Sequence, residues 1–267
     1  MYTLERWSSA LRHSRWMEKA DWLWDRVRPA YEGTIGILGR NGLKRTINGT
    51  DQMLILPRFR GMPETYEPDV WTSLMKNVQR DDVVVDVGAF IGLYSVALAR
   101  RCGPAGKVVA FEPDPENFGA LRAHIELNGI RDRIELIQAA VGEQDGVVSF
   151  ESGRSSESRI AANGPMRVRC VRLDSIFADR PMNVLKIDVE GYEEAALKGT
   201  LGLLRDPHRC PRRIYLEVHP FAWAQLGTTS ESLLRLLAEC DYGVSRLDGS
   251  PVEHIGSWGE IVAHKIR

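Results

Sequence analysis

Residues 83–95 read VVVDVGAFIGLYS, a short apolar run that ends in an acid and continues into two glycines and a helical pattern. An apolar run of this length that glycine ends is typical of a buried strand. The helical spacing lasts until Gly103 and Pro104, which are common where a helix ends. The stretch therefore predicts a strand, a tight turn and a helix. At such a turn the backbone can closely approach a nucleotide-like ligand.

The same alternation continues along the chain. Strands are predicted over residues 83–87, 107–111, 134–137, 183–188 and 213–218, and near Val244 and Ile261. Helices are predicted over residues 91–101, from Asp114-Pro115 to Asn128-Gly129, over 192–204, and after the capping box Thr228-x-x-Glu231. Alternation of this kind predicts an α/β fold, with a parallel sheet and helices on both faces.

Composition and charge limit the partners. The 267 residues are 43% hydrophobic and 27% charged, as in an ordinary globular chain, and 35 basic residues balance 36 acidic ones. This balance does not call for nucleic acid as a partner. No uncharged run reaches the roughly 18 residues of a membrane span, and charged residues occupy the start, where a signal peptide would be apolar. The four cysteines are scattered, which predicts a reduced, cytoplasmic location.

Residues 1–70 are predicted to form a cap before a second domain over residues 71–267. Apolar residues in the first thirty positions recur at helical spacing, at Trp16, Ala20, Leu23, Trp24 and Val27. The charges between them have both signs, so packing or homodimer formation through this helix is favoured over membrane contact. Turn signals at Asn41-Gly42 and at residues 48–51 predict short antiparallel strands in the rest of the cap.

Glu112 ends the second strand of the α/β region, 24 residues after Gly88. A carboxylate at this position can accept hydrogen bonds from both hydroxyls of a ribose. A nicotinamide dinucleotide would require glycine in place of Phe90, because its pyrophosphate approaches the turn closely. S-adenosylmethionine has no phosphates, so it does not require such a close approach to the turn. The spacing therefore favours adenosine binding, with S-adenosylmethionine as the ligand.

Several segments together resemble the FkbM family of S-adenosylmethionine-dependent methyltransferases. They are DVGAFIGLYSVALA from Asp86, VVAFEPDPENF from Val108, AAVG from Ala139, RLDSI from Arg172 and LKIDVEGYEEAALKG from Leu185. The resemblance covers most of residues 80–220. It implies a doubly wound, mostly parallel seven-stranded sheet and methyl transfer, most often to a hydroxyl of a sugar or natural product. One departure is Phe90, where the family usually has a small polar residue or histidine.

By this resemblance, the cofactor pocket comprises Asp86, Gly88, Ala89, Phe90, Gly92, Glu112, Pro113, Gln138, Ala139 and Asp188. Asp86, Gly88 and Gly92 are expected beside the methionine part of the cofactor. Gln138 and Ala139 are expected beside the adenine. The alternatives are that Asp86 only caps the turn and that Gln138 is an exposed polar residue.

Charged residues alternate along two neighbouring strands. Lys186, Asp188 and Glu190 share one face of the fourth strand, and Glu217 and His219 are likewise two residues apart. A hydroxyl is a poor nucleophile, so a base helps methyl transfer; His219 is the first candidate and Asp188 the second. The alternative is a structural ion-pair network around Lys186. No metal is expected, because Lys186 on the same face would repel a cation.

The polar segment over residues 152–165 (SGRSSESRIAANGP) lies between two predicted strands, 147–150 and 167–172. A long polar connection beside a site is more typical of a lid than of an inert loop. Arg154 and Arg159 are expected to bind the acceptor, a small molecule.

Other functions stay open at this stage. N-methylation of a small molecule or peptide is the alternative to O-methylation. The fold alone also allows a dinucleotide oxidoreductase, which Phe90 disfavours, and a catalytically silent binding module, which the intact acidic residues disfavour.

Overall fold

The computed structural model describes Arg26 and residues 39–152, 158–161 and 163–266. Apart from Arg26, the predicted amphipathic helix lies outside the described residues. The chain divides into two compact units, Met1–Leu43 with Ile55–Met62, and Lys44–Leu54 with Pro63–Arg267. The predicted cap over residues 1–70 stays a prediction. Within the described part of the chain, no helix is long and apolar enough to cross a membrane.

In chain order, the strands are β1 (Leu43–Ile47), β2 (Asp51–Ile55), β3 (Val83–Val87), β4 (Lys107–Phe111), β5 (Ile134–Ile137), β6 (Ala140–Val141), β7 (Gly146–Glu151), β8 (Arg159–Ile160), β9 (Met166–Val171), β10 (Val184–Ile187), β11 (Arg213–Val218), β12 (Tyr242–Ser245) and β13 (Gly259–Lys265). The α-helices are α1 (Pro68–Asn77), α2 (Leu93–Cys102), α3 (Pro115–Leu127), α4 (Leu173–Ile176), α5 (Glu193–Lys198), α6 (Leu201–Leu204), α7 (Pro220–Trp223) and α8 (Ser230–Glu239).

The main sheet has seven strands in the order β12-β13-β11-β10-β3-β4-β5. β3 pairs in parallel with β4 and β10, β4 with β5, and β10 with β11. In this sheet β13 is the reversed strand, since it pairs antiparallel with both β11 and β12. The predicted seven-stranded, mostly parallel sheet is confirmed. From β3 the chain proceeds to one side and from β10 to the other, and a crevice opens at such a reversal.

A smaller sheet follows β5, with the strand order β6-β9-β7-β8. β7 pairs antiparallel with β8 and with β9, and β6 pairs in parallel with β9. β7 and β9 agree with the strands predicted over residues 147–150 and 167–172. The polar connection between them contains β8, whereas residues 153–157 and 162 lie outside the described part.

The core of the main sheet is built from the apolar runs that the sequence shows. It includes Phe111, Phe177, Leu185, Leu216 and Trp223, each with at most 3% of its surface exposed. All seven side chains over residues 93–99 of α2 are buried. This explains the almost uniformly apolar sequence of that helix, because a helix covered on all sides shows no polar stripe.

The sheet is tied at the edge opposite the site. Arg212, just before β11, donates two hydrogen bonds to Asp82, at 2.9 and 2.6 Å. Asn183, just before β10, accepts a bond from the Val83 amide through its side chain, at 2.7 Å. These contacts join the starts of three parallel strands, which stabilises the register that sets where the strands end.

Two predicted helix boundaries are wrong. The capping box is formed by Thr229 and Ser232, whose side chains each accept the other's backbone amide at 3.0 Å, because the helix begins one residue later than predicted. The helix predicted over residues 192–204 is divided into α5 and α6. At Gly199, between them, a Cβ would lie 2.0 Å from the Gly142 carbonyl oxygen. Gly199 therefore packs directly against another segment at the break between α5 and α6, a contact that sequence periodicity does not show.

Gly88 is expected to be intolerant of a side chain, because its φ is +81° and a Cβ would lie 1.8 Å from the Asp188 carbonyl oxygen. Gly88→Ala should therefore lower the free energy of unfolding by roughly 2–5 kcal/mol. Gly119 in α3 is the matched control, since a Cβ there meets nothing within 4 Å. Gly119→Ala should raise stability by about 0.5–1 kcal/mol. Urea titrations measure both; a Gly88 variant as stable as wild type would contradict the close packing of this turn.

Candidate active site

The turn after β3 is held against the end of β4. The amides of Gly88 and Ala89 both donate to the Phe111 carbonyl, at 3.0 and 2.9 Å. The Glu112 carboxylate accepts the Phe90 amide at 2.8 Å through Oε2 and the Asp114 amide at 2.9 Å through Oε1. Asp114 in turn caps α3, as predicted, by accepting the amides of residues 116 and 117. Glu112, which directly follows β4, thus holds the turn after β3 in place.

Glu112 is only 4% exposed, and its burial raises its pKa to about 8. The amide hydrogen bonds of Asp114 and Phe90 oppose this shift, because they favour the ionised form. Each carboxylate oxygen has a further lone pair. A ligand with two adjacent hydroxyls could use those lone pairs and stabilise the buried charge.

A cavity with about 790 Å³ of space, partly open to solvent, lies at this end of the sheet. Predicted site residues that line it are Gly88, Ala89, Phe90, Glu112, Pro113, Ala139, Arg159, Lys186, Asp188 and Glu190. Further lining residues that sequence reasoning missed include Tyr66, Tyr94, Asn117, Val141, Phe150 and Ile160. The cavity extends from the turn at Gly88 and Ala89 to Asp188 and Glu190, which follow β10.

Other predicted residues lie away from the lining. Asp86 is fully buried and accepts a hydrogen bond from the Ser95 hydroxyl at 2.6 Å. It therefore supports the first turn of α2. Gly92 has φ +88°, a left-handed conformation that favours glycine, and a Cβ there would lie 2.3 Å from the end of the Leu121 side chain. Gln138 is exposed and does not line the cavity, so its position does not support the expected adenine contact.

The two arginines differ. Arg159 lines the cavity and forms an ion pair with Glu151 at 3.1 Å. Arg154 lies outside the described residues. Near Arg159, Ser152 and Ser158 donate to the Asp114 carboxylate, the second at 3.4 Å. The described part of the predicted lid is therefore attached to the first turn of α3.

Two cavity residues have a left-handed backbone. Phe90 has φ +50° and Glu190 has φ +51°. Asn, Asp and His adopt this region more readily than other residues with side chains. This is a physical reason for the small polar residue or histidine that the family usually has at the position of Phe90. Strain of this kind costs about 1–3 kcal/mol and is often found at functional sites.

His219 lies beside the cavity, at the centre of an acidic cluster formed by Asp188, Glu190, Glu193 and Glu217. It is 2% exposed, and its Nδ1 lies 2.8 Å from Oε1 of Glu193, which is completely buried. Its Nε2 lies 3.5 Å from Glu190 and 3.7 Å from Glu217. Burial alone would lower the pKa of His219, but the hydrogen bond to Glu193 and the charge of Glu190 raise it to about 9. A protonated imidazole cannot accept another proton, which weighs against His219 as a base at neutral pH.

Glu193 was missed by the sequence analysis. Its carboxylate also accepts the Gly191 amide and the Trp223 indole N–H, each at 2.7 Å. Three donors therefore fix one buried carboxylate, and that carboxylate orients the imidazole of His219. The sequence contains one signal for Glu193. In the motif IDVEGYEE, no basic residue lies three or four positions from it, so a helix-surface ion pair does not account for this acid.

Lys186 faces the cavity and is 4% exposed. Its Nζ lies 3.2 Å from Asp188 Oδ2 and 4.8 Å from the centroid of the Tyr94 ring. Burial would lower the pKa of Lys186, but Asp188 and Asp86 raise it above its ordinary value. The predicted ion pair with Asp188 is present. Burial and repulsion by Asp188 raise the pKa of Glu217 to about 8.

Two exposed aromatic side chains flank this cluster. Phe221 is 67% exposed and meets the His219 ring edge to face, with centroids 5.7 Å apart. Trp258 is 57% exposed and donates its indole N–H to Glu217 at 2.8 Å. Each of these side chains thus contacts a cluster residue, and more than half of its surface is exposed to solvent.

Comparison with known proteins places the chain among methyltransferases. A family profile described as "Methyltransferase FkbM domain" matches residues 86–244. Hexuronic acid methyltransferase AglP of Haloferax volcanii is 24% identical over 200 residues, 73% of this chain and 75% of that protein. The 31-O-demethyl-FK506 methyltransferase FkbM of Streptomyces tacrolimicus is 29% identical over 156 residues, 44% of this chain and 59% of that protein.

A solved structure from Clostridium thermocellum, assigned as an rRNA methylase, has a TM-score of 0.50 at 14% identity. The match covers 76% of this chain and 98% of that one. At this identity the likeness concerns the fold alone. The chain spans three quarters of AglP but less than two thirds of the Streptomyces relative.

Replacing Glu112 by alanine should weaken S-adenosylmethionine binding. Loss of charge-assisted bonds to the ribose is expected to cost about 1.5–3 kcal/mol, or roughly one to two decades in affinity. The exposed Glu116, four residues along the chain, provides the control Glu116→Ala, which should bind as wild type. Calorimetry measures both affinities, and thermal melts verify that the variants are folded. Equal affinities in the two variants would rule out the ribose contact.

The affinity should also depend on pH through Glu112. Ribose hydroxyls donate best to the ionised carboxylate, whereas the free site holds a proton below about pH 8 because its pKa is raised. Binding should therefore release a proton below that pH, and the affinity should increase with pH and level off above it. Glu112→Gln removes this titration but keeps that of the cofactor. A wild-type pH profile that is parallel to the Glu112→Gln profile would contradict the expectation.

Proposed function

The chain belongs to the FkbM methyltransferase family, and from this we propose that it methylates a hydroxyl of a sugar or natural-product acceptor. Its cofactor is S-adenosylmethionine. Gly88 and Glu112 line the same cavity as Asp188 and Glu190, and this observation carries the proposal. A cofactor site and a group of acid–base side chains therefore share one space. The names of two relatives, which refer to a hexuronic acid and to 31-O-demethyl-FK506, agree with this acceptor class.

The residues present fit the cofactor. Glu112 offers two oxygens to the ribose hydroxyls, and Asn117 beside it is a further polar group. Ala139, Val141 and Phe150 provide an apolar wall for a purine ring. Asp188 and Glu190 provide negative charge for the cationic end of the molecule. S-adenosylmethionine supplies a methyl group on positively charged sulfur, which is activated for transfer to a nucleophile.

The chain's own residues have to orient the acceptor oxygen and take up its proton. Asp188 and Glu190 line the cavity, so their carboxylates can reach a hydroxyl bound there. As the carbon–oxygen bond forms and the carbon–sulfur bond breaks, the hydroxyl proton passes to this acidic cluster. His219 and Glu217 stay part of the proposed catalytic group, and Lys186 limits the negative charge through its pair with Asp188.

Phe221 and Trp258 are proposed to contact the acceptor. Their exposed rings lie against His219 and Glu217, which offer polar atoms between two apolar faces. Sugar rings and natural-product skeletons combine apolar faces with hydroxyl groups, so they suit such a surface. A small amine would not need the aromatic faces, which is why O-methylation is preferred to the N-methylation alternative.

A screen with methyl-labelled S-adenosylmethionine tests the proposed function. Uronic acids, neutral sugars, hydroxylated macrolides, small amines and peptides are incubated with the protein, and label in an acceptor product is measured. Label in an ether or ester of a hydroxylated compound is expected. Label in amines or peptides alone would overturn the proposal.

With the acceptor identified, His219→Ala should lower turnover by about 10²–10⁴ with little change in cofactor affinity, because the affected group serves the acceptor oxygen. The exposed His254 provides the control His254→Ala, which should keep normal turnover. Normal turnover in the His219 variant would remove this residue from the proposed catalytic group.

A further inference from the structure

Three potential metal ligands converge beside the cavity. One ligand atom from each of Asp188, Glu190 and His219 lies within 4.8 Å of the other two. Asp188 and Glu190 follow β10, and His219 follows β11. Because β10 and β11 pair in parallel, their ends meet at the same edge of the sheet. Atoms that bind one ion at about 2.0–2.2 Å lie at most about 4.4 Å apart, so the three ligand atoms have to close in slightly to share an ion.

The orientation of His219 is a separate observation, because a residue outside these three produces it. Glu193 is completely buried, and its bonds to the Gly191 amide and the Trp223 indole hold it in place. Its 2.8 Å contact to Nδ1 turns Nε2 of the buried imidazole towards Glu190. The distances of 3.5 and 3.7 Å from Nε2 to Glu190 and Glu217 exceed those of a good hydrogen bond. Metal-ligating histidines usually have their other nitrogen fixed in this way.

The charge around His219 also favours a cation. Four carboxylates, those of Asp188, Glu190, Glu193 and Glu217, are its acidic neighbours in the described residues. Lys186 is the basic side chain recorded beside this group, and it contacts Asp188 Oδ2 at 3.2 Å. A cation that binds Nε2 takes the place of the imidazole proton, so Lys186 alone would then face the four carboxylates. The repulsion that led us to expect no metal is therefore outweighed by the surrounding negative charge.

We propose that Asp188, Glu190 and His219 bind one divalent first-row cation of the Mn²⁺ type. Carboxylates suit Mg²⁺, Ca²⁺ and Mn²⁺, whereas imidazole suits the transition metals, so Mn²⁺ fits this mixed set. Three protein ligands leave coordination positions for water or an acceptor oxygen. The binding itself does not depend on the proposed function.

The role of the ion does rest on the proposed function. A cation that coordinates the acceptor oxygen makes its hydroxyl more acidic. The hydroxyl proton would pass to water, since the cavity is partly open to solvent. The oxygen then forms its bond to the methyl carbon, and the electron pair of the breaking bond stays on sulfur. In this scheme His219 is a ligand, and its proton is not needed.

The test is a Mn²⁺ titration of the chelator-treated full chain, without cofactor or acceptor, followed by electron paramagnetic resonance. One Mn²⁺ per chain is expected, with ¹⁴N coupling from an imidazole in the spin-echo spectrum. His219→Ala and Glu190→Gln should each weaken binding by at least about tenfold. The matched control is His254→Ala, because His254 is an exposed histidine 3.8 Å from Glu231; it should bind as wild type.

The results separate this proposal from the proposed function. Absence of saturable Mn²⁺ binding, or of ¹⁴N coupling in the wild-type protein, would overturn the cation site, and neither measurement needs a variant to fold. Equal Mn²⁺ affinity in wild type and a folded Glu190→Gln variant would overturn it as well. Methyl transfer that persists with excess chelator would overturn the role of the ion. A chain that binds Mn²⁺ but labels no hydroxylated acceptor would keep the site and refute the function.

Discussion

Parallel pairing of β3 with β10, and of β10 with β11, is the constraint on which the site depends. It brings the ends of three strands to one edge, so that Gly88, Asp188 and His219 follow neighbouring strands there. If either pairing were antiparallel, one of these residues would lie at the opposite edge. The pair of Asp82 with Arg212 ties the starts of β3 and β11. A contact at the starts of these strands therefore stabilises their register, which sets the position of the strand ends where the chemistry is proposed.

Two buried carboxylates give this edge its rigidity. Glu112 accepts two backbone amides and Glu193 accepts an amide, an indole and an imidazole contact. An unpaired carboxylate at this depth would cost several kcal/mol, whereas one whose oxygens are all engaged is tolerated and cannot easily move. Glu112 fixes the turn that borders the cofactor site, and Glu193 fixes the imidazole of the acidic cluster. Each acts at one end of the same functional region.

The acidic character of the region suits the proposed function. S-adenosylmethionine carries positive charge at its sulfur, and Asp188 and Glu190 line the cavity where that charge would be placed. Neighbouring carboxylates repel each other, which is one reason why the pKa of Glu217 is raised. Lys186 relieves part of this repulsion through Asp188. The balance between one lysine and several carboxylates leaves a net attraction for cations, whether the sulfonium or a metal ion.

Sequence alone determined most of the strand and helix pattern from Val83 onward, because apolar periodicity, caps and glycine turns are local signals. The seven-stranded sheet and the family followed from the resemblance of its motifs to the FkbM family. The sequence also predicted that Glu112, Asp188 and Glu190 lie close together, since strand ends of a parallel sheet meet, and the three residues line one cavity. The structure alone decided that Asp86, Gly92 and Gln138 lie outside the cavity lining and that Glu193 orients His219. It also decided that Phe221 and Trp258 flank the cluster. These facts depend on contacts between residues distant in the chain, and a local pattern contains no information about which side chain meets which.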